Sequence, residues 1–284
     1  MTFVLTFVLL LLFPWTAQSS PLHLHPKQIA DGEVALLTWS DPTSRQLTVT
    51  FNGHSFSLQN TADGARTLLG VPLGTSSTGL PVEIKLEDAE GRSRIYRETL
   101  QVVQTPRPEE RLSLPPAMVT PQDPKIINRI QQEQTRLKKL FSTATVPTWT
   151  TFSAPVDDAT GSVFGLRRIL NGHPRSPHGG VDFRSPAGRP VKAAANGRVA
   201  LADNLYFTGN TVIIDHGGKL FSIYAHLQKI TCQLGDKIPV GSVLGTVGKT
   251  GRASGPHLHW GIRLRGDRID PLALLRLFSK TEKP

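Results

Sequence analysis

Two fragments of the chain have residue types and spacing suited to one metal ion: His178-Gly179-Gly180-Val181-Asp182 and Gly255-Pro256-His257-Leu258-His259. Strand residues two apart point to the same side, so His257 and His259 would share a face while Leu258 and Trp260 turn to a core. Gly179 and Gly180 oppose a helix and favour a tight loop entering a strand, which can bring the His178 imidazole and the Asp182 carboxylate to the same ion. Two histidines and one aspartate leave a fourth tetrahedral position for water. That is the arrangement of a catalytic rather than a structural zinc, and it points to hydrolytic chemistry. Cys232 is the single cysteine, so a thiolate-rich structural zinc site is excluded.

These residues need a scaffold, and the chain from Pro147 to its end supplies short apolar runs between glycines. Arg198–Leu201, Thr211–Ile214, Leu220–Tyr224 and Ser242–Val247 are expected strands of a β domain spanning residues 147–284. Upstream, Pro106, Pro108, Pro115, Pro116, Pro121 and Pro124 oppose regular structure and mark a linker within residues 105–146. Asp123-Pro124 then reads as an N-cap followed by proline in the first helical turn. Ile127, Ile130, Leu137 and Phe141 recur at helical spacing, so an amphipathic helix over 124–142 is expected to pack on a neighbouring domain.

Residues 20–104 read as a separate β unit. Leu47-Thr48-Val49-Thr50-Phe51 alternates, Asn52-Gly53 turns, and Phe56 and Leu58 resume the pattern of a hairpin. Val82, Ile84 and Leu86 alternate again before a turn at Glu90-Gly91 leads into Ile95–Val103. The expected class is all-β: a small immunoglobulin-like N-terminal sandwich, a bridging helix and a C-terminal β domain. Residues 1–19 carry the apolar run Thr2–Phe13, Pro14 and a small-residue group ending at Ser19-Ser20, which predicts a signal peptide, although no Lys or Arg precedes the run. The run is shorter than the ~20 apolar residues of a membrane span, and no cysteine near the cleavage point could carry a lipid, so no stable membrane anchor is expected.

The formal net charge of +10 comes from dispersed Lys and Arg and favours an anionic partner: nucleic acid, an acidic membrane surface or a wall polymer. The remaining histidines have simpler readings. His23 and His25 repeat the His-x-His spacing between two prolines with no further ligand nearby, His173 and His216 fit structural or groove-lining roles, and His54 fits solvent. Tyr206 and Asn210, before the Val212 strand, are candidates to line a groove. Gly248-Lys249-Thr250 imitates the end of a phosphate loop, but Val243 stands where its first glycine belongs.

The flanks of the two fragments carry a family resemblance. Ser162–Arg167, Pro177–Phe183, Ala194–Val199, Gly209–Gly217, Tyr224-Ala225-His226-Leu227 and Gly255–Trp260 closely resemble, in order, the M23 peptidases, the lysostaphin/LytM-type peptidoglycan endopeptidases. The resemblance implies a LytM-type β domain, described as a duplicated hybrid motif, with one zinc per site bound by His178, Asp182 and His259. It also implies that His226 and His257 stand beside the metal without ligating it, as proton-transfer residues. The implied activity is a D,D-endopeptidase-like hydrolase acting on peptide stems and cross-bridges of peptidoglycan, exported to the periplasm, with no nucleic-acid partner and no oligomeric state specified. Two other readings fit less well. A non-catalytic LytM-type module would be expected to have lost ligands, and a lipoyl-carrier-like barrel would leave the histidines without a role.

Overall fold

The structure is a computed structural model, and it describes residues 20–42, 46–58, 64–87, 91–113 and 121–279. The signal peptide expected over residues 1–19, and Glu90 of the expected turn, lie outside these residues. Among the described residues, eight strands build the N-terminal unit: β1 (Leu22–His25), β2 (Gln28–Ala30), β3 (Val34–Trp39), β4 (Gln46–Phe51), β5 (His54–Leu58), β6 (Ala65–Gly70), β7 (Thr78–Glu87) and β8 (Ser93–Val103). They form two sheets, ordered β1-β3-β6 and β2-β8-β7-β4-β5. This is the small immunoglobulin-like sandwich that the alternation pattern implied.

Period-2 patterning explains the packing of this sandwich. Leu47, Val49 and Phe51 of β4 are buried with Val82 and Ile84 of β7, Val49 lying opposite Ile84. Asn52 and Gly53 have φ values of 47° and 75°, the pair of positive angles that a two-residue hairpin turn between Phe51 and His54 requires. Leu22 and Leu24 of β1 face the core, leaving His23 and His25 exposed on the other side.

Of the proline-rich stretch, Pro115 and Pro116 lie outside the described residues, and the described part is more ordered than its composition suggested. Its proline-free segment Glu109–Leu112 forms β9, which pairs in parallel with β10 (Arg167–Leu170), and β10 pairs with β11 (His173–Arg175). Helix α1 (Pro124–Ser142) starts as expected, with the Asp123 carboxylate accepting from the Lys125 N–H at 2.8 Å. Leu137, Leu140 and Phe141 pack on Leu201, Leu205, Ile213 and Phe221 of the C-terminal sheet, with Phe141 edge-on to Phe221 at 5.4 Å. Ile127 departs from the expected stripe: it is 39% exposed, while its neighbour Ile126 is partly buried.

The C-terminal unit is a β domain built on β12 (Val181–Phe183), β13 (Pro190–Lys192), β14 (Gly197–Leu205), β15 (Gly209–Gly217), β16 (Leu220–Ile230), β17 (Lys237–Ile238), β18 (Val243–Val247), β19 (Leu258–Leu264) and β20 (Asp267–Ile269). Its main sheet runs β12-β19-β16-β15-β14-β17. Alternation gives β19 two working faces. Leu258, Trp260, Ile262 and Leu264 are buried in the core, so His259, Gly261 and Arg263 lie on the other side. A short helix, α2 (Pro271–Ser279), is the last of the described elements, with the Asp270 carboxylate accepting from the Leu272 N–H at 2.9 Å.

The two β units share a core. Ala35, Leu37 and Trp39 of β3 face the sandwich interior, while Val34, Leu36 and Leu68 join Leu264, Ile269, Leu274 and Leu277 of the C-terminal unit. Burial on both faces explains why β3 reads as a continuous apolar run instead of alternating. The Arg265 guanidinium secures the junction, donating to the Leu68 carbonyl at 2.7 Å and the Thr67 hydroxyl at 2.8 Å and lying 3.6 Å above the Phe56 ring.

Candidate metal centre

Strand register brings the first two site residues together. Asp182 of β12 lies directly opposite His259 of β19, and directly opposed residues project to the same side of a sheet. Their donor atoms, Asp182 Oδ1 and His259 Nδ1, are 2.8 Å apart. The loop before β12 turns back so that His178 Nε2 lies 3.0 Å from Asp182 Oδ1 and 3.1 Å from His259 Nδ1. Gly180 makes that turn possible, because a Cβ there would stand 2.3 Å from the Trp260 carbonyl oxygen.

Among the described residues, His178, Asp182 and His259 form a group able to hold a metal ion. His178 is buried, and its Nδ1 lies 2.9 Å from the Val163 carbonyl. A carbonyl accepts only N–H, so that contact places the proton on Nδ1 and turns the Nε2 lone pair to the group. Burial alone would raise the Asp182 carboxyl, but the adjacent His178 and His259 rings hold it well below the carboxylate range. The Arg168 guanidinium of β10 lies 3.4 Å from Asp182 Oδ2 and is itself paired with Glu110 of β9 at 3.3 Å. The linker strand therefore buttresses the centre through Arg168, a contact that no sequence pattern had indicated.

His226 and His257 complete the cluster, with ring centroids 4.7 Å apart and His226 lying 6.1 Å from His259. Simple alternation would send His226 into the core, since Ala225 is the residue paired with His259. A β-bulge redirects it. Between the pairs Asn210–Leu227 and Val212–Tyr224, two residues of β16 oppose the single residue Thr211 of β15, and His226 takes φ 61°. Its Nδ1 then lies 2.8 Å from the Thr250 carbonyl, while His257 Nδ1 lies 2.9 Å from the Gly255 carbonyl. Each Nδ1 holds the proton, leaving an Nε2 lone pair. Burial and the neighbouring His259 push His226 down to about 4.

Thr250 is the support for this arrangement. Its hydroxyl donates to the Leu227 carbonyl and accepts from the Asn210 N–H, and its backbone crosses tightly over Gly209. A Cβ on Gly209 would stand 2.3 Å from Thr250 Oγ1 and carbonyl carbon, and Gly209 has φ 61°. Gly209→Ala is therefore expected to displace Thr250 and with it His226. Since a misplacement of ~1 Å at reacting groups can cost on the order of 10²-fold, kcat should fall by about that factor while bound metal per chain stays at the wild-type value. Steady-state kinetics and elemental analysis of the same preparation measure the two quantities.

The other sequence candidates separate clearly. Asn210 is held at the strand edge by the Gln228 carbonyl and the Asn204 amide, and Tyr206 turns its N–H to Glu133, so Phe207 and Thr208 line the groove in their place. His216 is fully buried, bonded to the Asn196 carbonyl and Ser222 Oγ at 2.7 Å each, and burial pushes it down to about 4. His54 and His173 are exposed strand residues. Helix α1 forms one edge of the groove through Ile130, Glu133 and Leu137.

Residues 176–271 match the model of peptidase family M23. Over 124 residues the chain is 38% identical to the peptidoglycan DD-endopeptidase ShyA of Vibrio cholerae, a match covering 42% of this chain and 28% of that protein. Over 113 residues it is 36% identical to the DD-carboxypeptidase/endopeptidase Mpg of Neisseria meningitidis, covering 40% of this chain and 26% of the other. The matched segment thus spans little more than a quarter of either relative. A crystal structure from Pseudomonas aeruginosa described as a peptidase M23 superposes with a TM-score of 0.66 at 29% identity, covering 88% of this chain and 96% of that one.

Proposed function

We propose that this chain, which carries a peptidase family M23 domain at residues 176–271, is a zinc-dependent endopeptidase that cleaves peptide cross-links of peptidoglycan. The observation that carries the reading is the donor set: His178 Nε2, Asp182 Oδ1 and His259 Nδ1 lie 2.8 to 3.1 Å from one another. Donors of a tetrahedral zinc with bonds of about 2.0 to 2.2 Å lie about 3.3 Å apart, so the three atoms fit one such ion with little movement. His178 and His259 would supply nitrogen and Asp182 oxygen. Zinc held there supplies Lewis acidity, lowering the pKa of water toward ~7 and polarising a peptide carbonyl.

The chain's own residues then handle protons and charge. His226 and His257 each present Nε2 beside the donor set, placed to accept a proton from the attacking water and return it to the leaving amine. In its protonated form either ring stabilises negative charge developing on the carbonyl oxygen. The Thr250 and Gly255 carbonyls hold the two rings in the tautomer that this requires. Arg168 keeps the Asp182 carboxylate oriented and charged, so Oδ1 faces the metal position while Oδ2 faces the guanidinium.

Both named relatives act on D,D bonds, by the printed names of those proteins, which supports a D,D-endopeptidase-like specificity here. The sequence of residues 1–19 and the substrate both support export to the periplasm; among the described residues no helix is long and apolar enough to cross a membrane. Digestion of purified peptidoglycan with and without a chelator tests the proposal. Uncross-linked stems released only in the absence of chelator are expected, and intact cross-links in both samples contradict it.

A further inference from the structure

Helix α1 precedes the segment that matches the family, yet it is tied to the hairpin that supports His226. Tyr206, Phe207 and Thr208 form the turn between β14 and β15. The backbone N–H of His226 donates to the Thr208 carbonyl at 2.9 Å, and its ring Nδ1 donates to the Thr250 carbonyl at 2.8 Å. Thr208 thus sets the backbone of His226 and Thr250 sets its ring. At the bulge His226 leaves the regular ladder of β16, so the bond to the hairpin turn stands in for the lost strand pairing.

Three side chains of α1 hold that hairpin from outside. Arg136 pairs with Asp203 at 2.6 Å, and Arg129 donates to the Asn204 carbonyl at 2.9 Å; both partners belong to β14. Glu133, between them on the helix, reaches into the turn itself. Its Oε2 accepts the Tyr206 N–H at 2.9 Å, with Oε1 at 3.2 Å. Arg129 also donates to Oε1 at 2.7 Å, which fixes the orientation of the carboxylate. The Glu133 side chain is 16% exposed, so water competes little for its charge-assisted bond to Tyr206.

We propose that Glu133 is a positioning residue for His226: by accepting the Tyr206 N–H it fixes the turn whose Thr208 carbonyl holds His226 beside His257 and the donor set. The supports of the site then extend beyond residues 176–271 to a helix ahead of them. Its effect on turnover rests on the peptidase reading, whereas the placement of His226 does not.

Hydrogen exchange at the backbone amides of the zinc-loaded full chain, followed by NMR, reads that placement without any activity. In Glu133→Ala the His226 amide is expected to exchange about tenfold faster than in the wild type, the factor that one lost hydrogen bond gives, with the Ser222 and Ile223 amides of the same strand unchanged. Glu133→Gln, whose side-chain carbonyl can still accept the Tyr206 N–H, should restore the wild-type rate. An unchanged His226 rate in Glu133→Ala, or equal acceleration all along β16, overturns the proposal.

Kinetics on a soluble cross-linked peptide dimer form the second arm. The kcat of Glu133→Ala should fall about tenfold with KM within about twofold, the pattern of a misplaced group that acts in the transition state. In a His226→Ala background the same substitution should cost nothing further, because its effect passes through that ring. A raised KM with kcat intact would make Glu133 a substrate contact, and additive losses in the double variant would make its role structural; either result overturns the proposal. If circular dichroism shows Glu133→Ala misfolded, Glu133→Asp, one methylene shorter than the bond to Tyr206 requires, takes its place under the same criteria. A wild type that cleaves nothing refutes the peptidase reading and leaves the exchange rates to decide whether Glu133 places His226.

Discussion

His259→Ala is expected to lose bound zinc and peptidoglycan cleavage together. His259 Nδ1 is within 3.1 Å of both other donor atoms, so its removal opens one side of the group and leaves Asp182 without one of the two rings that keep it charged. Two remaining ligands make a much weaker site, and the Lewis-acid contribution, several kcal/mol, would disappear with the ion. At about 1.4 kcal/mol per decade, activity should fall at least ~10³-fold. Elemental analysis after dialysis, alongside a cleavage assay, measures both. Full zinc occupancy in the folded variant would refute the ligand assignment.

His226→Ala and His257→Ala should behave in the opposite way: zinc stays at one equivalent and kcat falls by about 10² to 10⁴, the range for loss of a proton-transfer group. The two variants differ in stability. His226 occupies φ 61°, a left-handed conformation that His adopts more readily than Ala, whereas His257 lies outside that region. His226→Asn, which tolerates the left-handed region, should retain more stability than His226→Ala with the same loss of turnover. Zinc loss on removal of either ring would make that residue a ligand instead.

Much of this architecture was legible in short-range patterns. Val49 and Ile84 pair as their alternation implied, Asn52-Gly53 makes the hairpin turn, and Asp123-Pro124 starts α1. The double glycine before Val181 and the His-x-His that leads into β19 likewise pointed to His178, Asp182 and His259, which the fold brings together. What stayed hidden depends on tertiary context. The bulge at His226 reverses the face that alternation assigns, so only the family resemblance pointed to that residue. Burial of β3 on both faces, with Val34 and Leu36 entering the second core, requires knowing that the two units pack together. The strand Glu109–Leu112 forms because β10 offers it an edge, against a proline-rich background. Asp270-Pro271 repeats the signal of Asp123-Pro124, so α2 was within reach of the same capping argument.

The central claim is that one zinc ion on His178, Asp182 and His259 hydrolyses peptidoglycan cross-links. Its most direct test is to strip the purified full chain with chelator, return zinc in measured steps, and follow cleavage of purified cross-linked peptidoglycan by mass spectrometry of the released fragments. Cleavage absent from the stripped protein, rising linearly and saturating at one equivalent of zinc per chain, is the expected result. Cross-links that stay intact at every zinc level, or cleavage that persists in the stripped protein, would contradict it.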